Sequence, residues 1–225
     1  MDRRKFLSLL GAASSGLGVH RYASARLDCI QHGFQNICDE KIQTNNFKHV
    51  FSNQETDVWC WAATFEMIFR WHGKNISQKS IVAQTFGNII RVPGSIPTLI
   101  NGSNRDYIDD FGQPFKVRSR IWSMDAGIIQ FDNSTIIQAL ANDRPLVVCN
   151  LSHMMVLVGV SYVISPGHIP MIREGWVADP LVFGNVTRQF GGRALADGFR
   201  YLTPPELVAM YAGGQLRFMA DVHVI

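Results

Sequence analysis

Residues 54–73 read Q-E-T-D-V-W-C-W-A-A-T-F-E-M-I-F-R-W-H-G, from Gln54 to Gly73. Steps of three and four from Cys60 land on Ala63, Thr64, Met67, Ile68 and Trp71, one stripe at a helical period. Ala62, Phe65 and Phe69 carry the apolar surface round most of the circumference. The polar face is narrow: Glu66 and Arg70, four apart, are placed to pair on it. A helix that is apolar nearly all round belongs inside a domain. Gly73 supplies a stop signal, and Asp57 is the best local candidate for the N-terminal cap.

Cys60 therefore falls in or near the first turn of a buried helix. Free backbone amides and the helix dipole favour an anion there, and the reactive form of cysteine is the anionic thiolate. Amides at such a position can also hold a negatively charged oxygen. Gln54, six residues upstream, brings a side-chain NH2 that can do the same from the entering loop. The competing reading is structural, since a lone cysteine in an apolar helix is most often a small core residue. The flanking tryptophans, Trp59 and Trp61, and the upstream glutamine weigh against it.

Gln54 followed by Cys60-Trp61-Ala62-Ala63 at the head of a helix resembles the active-site segment of papain-like cysteine peptidases. The six-residue step from Gln to Cys is the spacing of that family. The C-W-A-A form, with Trp59 before it, is similar to a small bacterial secreted branch; the C-G-S-C-W signature of the lysosomal enzymes is missing. The strong match covers about 20 residues, and weaker matches downstream extend it to about 130. The resemblance implies an α+β fold in which a central buried helix carrying the nucleophile packs on an antiparallel sheet. It also implies a thiol peptidase that needs no cofactor or metal.

A cysteine nucleophile needs a base, and the base needs an orienting partner. Of seven histidines, His72 lies three helical turns from Cys60, about 18 Å along the axis, too far to touch it. His153 opens an apolar run, H-M-M-V-L-V-G-V-S-Y, after a short polar link. A histidine at a strand end is more often structural, but this position matches where papain-like enzymes keep their base. Ser165-Pro166-Gly167 is a strong turn signal. In an antiparallel pair opposed residue numbers sum to a constant, so a turn centred near Pro166 sets His153 opposite Asp179. Asp179-Pro180 also resembles the acidic member that follows the His in this branch. Ser152 stands before the His where the branch usually has Asn, Asp or Gly. Asn185 is the reserve candidate for the third member.

The remaining chain suits one soluble globular domain, with 225 residues, 47% of them hydrophobic and 17% charged. Asp2-Arg3-Arg4-Lys5-Phe6-Leu7, an apolar run to Val19 and Ala23-Ser24-Ala25 together read as an export signal of the twin-arginine type, residues 1–25. The run is short and rich in Gly, Ala and Ser, which argues against a stable membrane anchor. That segment holds four cations against one anion, +3, and the whole chain is also +3. The mature chain, residues 26–225, is therefore about neutral, and nothing in it suggests a nucleic-acid surface. The expected location is the periplasm or the medium. Cys29 and Cys38, nine apart, are a plausible disulfide in an oxidising compartment; with His32 between them, a metal site is the weaker alternative.

Other elements follow from pattern. Residues 26–53 read as polar and irregular. Ser77 caps a helix from Gln78 to Phe86 that Gly87 stops, and the stretch from 88 to 114 reads as loops with helical turns at 97–100 and 105–111. Phe115 to Trp122 alternates as a half-exposed strand. Asp132 or Asn133 caps a helix from Ser134 to Asn142. Strands are expected at 146–151, 153–162 (central), 171–178, 199–202 and 216–224, with a short helix at 205–211. Helices first and strands after indicate α+β segregation. The function these readings favour is secreted hydrolysis of a protein or peptide amide bond by Cys60, His153, Asp179 and Gln54. A cell-wall peptide amidase with the same chemistry and a non-catalytic binding domain on the same scaffold are the alternatives.

Overall fold

A computed structural model describes residues 28–32, 35–151, 153–165, 167–181 and 198–225. The export segment 1–25 and Asn185 lie outside the described residues. Described elements run β1 (Asp28–His32), β2 (Gln35–Lys41), α1 (Thr44–Phe47), α2 (Cys60–Trp71), α3 (Gln78–Phe86), α4 (Ile96–Gly102), β3 (Asp106–Ile108), β4 (Pro114–Ser123) and β5 (Ile128–Ile129). There follow α5 (Asn133–Ala141), β6 (Leu146–Asn150), β7 (His153–Ile164), β8 (Met171–Ala178), β9 (Phe199–Tyr201), α6 (Pro204–Leu207), a 3-10 turn (Met210–Ala212) and β10 (Leu216–Val224). The class is α+β, with helix α2 packed on a large antiparallel sheet.

The sheet runs β1-β2-β7-β6-β10-β4-β3, with β8 also on β7, β9 on β8 and β5 on β4. Strand β7 is central because its sequence is apolar on both faces: Met154 to Val163 are all buried. It pairs with β6 along its first half, β2 along its second and β8 along most of its length.

Helix α2 lies on β7 and β6. Ten of its residues, Cys60 to Phe69, are buried, as an all-round apolar segment demands. Trp61, Phe65 and Phe69 are fully buried. Phe69 meets Phe65, Tyr107 and Phe115 at ring centroid distances of 5.7, 5.0 and 5.4 Å. At about 1.5–3 kcal/mol each, these three side chains alone make α2 a fixed element of the core. Glu66 is buried as well, paired to Arg70 at 2.7 Å. Helix α3 is capped as the sequence dictates: Ser77 accepts from the Ser80 N–H, and Gly87 ends the helix at φ 81°.

Several expectations need correction. Asp57 does not cap α2; the N-cap is Trp59 with no side-chain bond, and Asp57 pairs with Arg91 instead. The polar stretch after residue 26 contains the hairpin β1–β2 and the short helix α1. Directly opposed in that hairpin, Cys29 and Cys38 form a disulfide, which takes both sulfurs out of the metal alternative. Within 105–111 the chain forms strand β3, three residues paired to β4. The helix expected at 205–211 is α6 at 204–207 followed by a 3-10 turn. Among the described residues, no helix is long and apolar enough to cross a membrane.

Candidate active site

Cys60 is the first residue of α2, so the positive end of a buried helix faces its sulfur. Two tryptophans hold this end. The Trp59 and Trp61 indole N–H groups donate to the carbonyls of Ile90 and Val92 at 3.1 and 3.2 Å. They pin the loop after α3 beside the cysteine. Gly94 lies where a Cβ would sit 2.9 Å from the Trp61 side chain, so this close approach requires glycine.

His153 opens β7, opposite Asn150 on β6. Its imidazole hydrogen-bonds to Cys60 and, through Nε2, to Asp179 Oδ1 at 2.6 Å. The His153 side chain is 13% exposed and that of Asp179 7%. Burial alone would lower the imidazole pKa, but the hydrogen bonds and charges of Asp179 and Cys60 outweigh it and raise it to about 9. Burial alone would raise Asp179, but His153 and Arg200 hold its carboxyl below the usual range.

The register that joins these two residues differs from the arithmetic. Val156, not Met154, faces Ala178: the hairpin is centred one residue later than expected, an offset already present at Val163 opposite Met171, and the irregularities between Leu157 and Gly159 and between Ser161 and Tyr162 cancel. The displacement at Ala178 is two residues, and an even displacement keeps each side chain on its face. Continuing that register sets Asp179 level with Met155, with His153 its diagonal neighbour on the same face. Diagonal neighbours remain within reach of long or aromatic side chains, and the imidazole spans the gap.

Gln54 is buried in the loop before α2. Its backbone N–H donates to Pro180 O at 2.9 Å, which ties this loop to the segment just past Asp179. Its side-chain Nε2 donates to Thr56 O at 2.7 Å, while Oε1 has no hydrogen-bond partner among the described residues. Gln78 fixes the loop on both sides of Gln54. It donates to Asn53 O at 2.8 Å and accepts from the Glu55 N–H at 2.9 Å. Its Nε2 also donates to Glu66 of α2 at 2.9 Å. Gln78, the first residue of α3, is wholly buried.

The fourth cysteine, Cys149, is buried on β6. Burial, followed by the nearby charge of Cys60, pushes its thiol up to about 12. It borders a groove of about 480 Å³ with Ile96, Pro97, Ile100, Leu151 and Arg217. Behind Asp179 stand Arg200 and Glu206, two residues the sequence reading did not select. The T-P-P-E segment at 203–206 has the form of a helix capping box, which was the only local signal for Glu206.

The arrangement provides a thiol, an imidazole in contact with it and a carboxylate on the imidazole's Nε2. That is the chemistry of acyl transfer through a covalent intermediate. No curated protein and no solved structure gives a match to the chain. A family model described as papain-like cysteine protease AvrRpt2 matches residues 41–169, more than half of the 225 residues. The chain therefore belongs to this family of papain-like cysteine proteases and is a cysteine peptidase.

Proposed function

We propose that the protein is an exported peptidase that cleaves a protein or peptide amide bond with Cys60, His153 and Asp179 as its triad and Gln54 as an oxyanion donor. The observation that carries the reading is the continuous buried contact from Cys60 to His153 to Asp179. Cys60 attacks the carbonyl carbon as thiolate, and the carbonyl π pair moves onto oxygen. The helix N-terminus and the Gln54 amide receive that oxyanion; one Gln54 N–H is held by Thr56 and the other serves the substrate. The imidazolium of His153 protonates the departing amine as the C–N bond breaks, leaving a thioester. Water, deprotonated by the now neutral His153, attacks the thioester and releases the acid and the thiolate. Asp179 holds the imidazole and stabilises its charged form.

Residues 1–25 serve in this reading as a twin-arginine export signal. The Cys29–Cys38 disulfide is compatible with an oxidising destination.

The test is hydrolysis of a fluorogenic peptide panel by the chain from residue 26. Cys60→Ala should abolish turnover, and Asp179→Ala should lower it on the order of 10²–10⁴-fold. Undiminished turnover by Cys60→Ala overturns the reading, and undiminished turnover by Asp179→Ala removes Asp179 from it.

A further inference from the structure

Asp179 does not end the chain of contacts. Its Oδ1 accepts from His153 and from the Leu181 N–H at 3.0 Å, and its Oδ2 accepts from Arg200 Nε at 2.7 Å. Arg200 then grips Glu206 with both ends of its fork, Nη1 to Oε2 at 2.9 Å and Nη2 to Oε1 at 2.7 Å. Its two remaining N–H groups go to Tyr201 O and Met155 Sδ. All five guanidinium donors are thus used. Glu206 is saturated too, accepting from the Asn150 amide and from the Thr203 N–H and hydroxyl. The Arg200 and Glu206 side chains are each 3% exposed.

Short elements of the backbone deliver these groups. Strand β9 lays Arg200 opposite Val177 on β8, and the Asp179 N–H is bonded to Gly198 O. Gly198 has φ +80°, and a Cβ there would run into the Phe51 ring, so only glycine fits this entry to β9. Helix α6 is four residues long, and Glu206 falls at its third position. Outward from His153 the contacts run to Asp179, Arg200 and Glu206, anion, cation and anion in turn.

A buried ion cluster is a poor source of stability, because apolar replacement of all its members is commonly neutral or stabilising. Its place directly behind the imidazole's partner gives it a different use. We propose that Arg200, itself held by Glu206, is a positioning residue of the peptidase: it fixes the orientation of Asp179 and sets how much of that carboxylate's charge is left for His153. The proposal rests on the reading of His153 and Asp179 as catalytic.

The electrostatics are directional. The titratable groups that bear on His153 are Cys60 from α2 and Asp179 past the end of β8. Those that bear on Asp179 are His153 and Arg200, and Glu206 of α6 bears on Arg200. Removing the Glu206 charge leaves Arg200 to draw on Asp179 alone, so His153 should give up its proton more readily. Removing Arg200 and Glu206 together leaves Asp179 with His153 as its one cation, so His153 should hold its proton more tightly. A general loosening of the fold would not give opposite signs.

The experiment follows the His153 imidazole titration by NMR in the parent, Glu206→Gln and the double variant Arg200→Met/Glu206→Met. The alkaline limb of kcat/KM is measured on the same proteins. Glu206→Gln should lower both by about half a pH unit or more, and the double variant should raise both by a similar amount. Arg200→Lys keeps the charge but not the fork; it should lower kcat about tenfold or more, with KM within about twofold. Shifts of the same sign in the two charge variants, or none beyond about 0.1 unit, overturn the proposal. If the double variant does not fold, Glu206→Gln decides alone. Asp179→Ala separates the two levels: if it retains full activity, the catalytic reading has failed; if it is impaired while the Glu206 and Arg200 variants match the parent, only this proposal has.

Discussion

Replacing Gln78 with alanine should damage catalysis from a residue with no contact to substrate. Its amide closes three elements on one another: the loop before α2 through Asn53 and Glu55, helix α2 through Glu66, and its own helix α3. Alanine removes three neutral hydrogen bonds, to Ser52, Asn53 and Glu55, at about 1 kcal/mol each, and one to a charged group, at about 1.5–3 kcal/mol. Asn53 and Glu55 are themselves exposed, so water satisfies part of what is lost, and a net destabilisation of about 2–4 kcal/mol is expected. Glu66 keeps Arg70 at 2.7 Å, which limits the cost of its buried charge. The kinetic effect has a ceiling. At worst the loop releases Gln54 altogether, which in the proposed mechanism deletes one oxyanion donor, on the order of 10²–10³ in kcat. The assay is urea unfolding together with steady-state hydrolysis of a peptide that the parent cleaves. Because the oxyanion exists only at the transition state, kcat should fall and KM should hold. Gln54→Ala should set the floor, and the double variant should be no slower than Gln54→Ala alone. A Gln78→Ala protein that is destabilised but has parental kcat would refute the link from Gln78 to Gln54.

Other outcomes follow from buried charge. Burial, helped by the nearby His223 and Arg144 charges, lowers the His72 pKa to about 4. The unfolded chain therefore binds the extra proton first, and stability should be lost as pH falls from about 6.5 to 4, by up to about 3 kcal/mol; urea midpoints that run parallel for the parent and His72→Gln over that range would contradict this. His153 has the opposite sign: its pKa is raised to about 9, so its contribution is complete below about pH 6.5 and lost as pH rises through 9. His153→Gln should flatten the parent's alkaline decline in the same unfolding series. Asp221, wholly buried on β10, accepts from Arg120 and Arg144. Asp221→Asn should cost about 3–5 kcal/mol in unfolding free energy, and a loss under about 1 kcal/mol would show that water reaches the two arginines.

What the sequence disclosed divides along physical lines. Helix α2 and strand β7 were legible because burial on all sides leaves a continuous apolar signature, which period and length can sort. Helix α3 was legible because Ser77 and Gly87 carry their cap chemistry locally. Hairpin β1–β2 was not, since β1 is an edge strand whose described side chains from Cys29 to Gln31 are exposed and impose no alternation. Strand β3 is three residues long, with Asp106 and Ile108 exposed and only Tyr107 buried, too little for a period. The β7–β8 hairpin was visible but not its centre, which lies one residue later than the Ser-Pro-Gly signal placed it, nor its two irregularities, which are set by how the strands pack. Gln78 and Glu206 went unread for one reason: each is a polar residue near a helix start, ordinary there, and only the fold reveals that it is buried among groups distant in sequence.

The central claim is that Cys60 is the nucleophile and that His153 activates it. The most direct measurement is mass-spectrometric mapping of native protein treated with a peptidyl electrophile at neutral pH, in the parent and in His153→Ala. Cys29 and Cys38 are bonded to each other, and Cys149 is buried with its thiol pushed up to about 12. The account predicts rapid modification of Cys60 alone, slowed by about tenfold or more in folded His153→Ala protein. Modification of Cys149 at a comparable rate, or Cys60 reacting equally fast without His153, would contradict it.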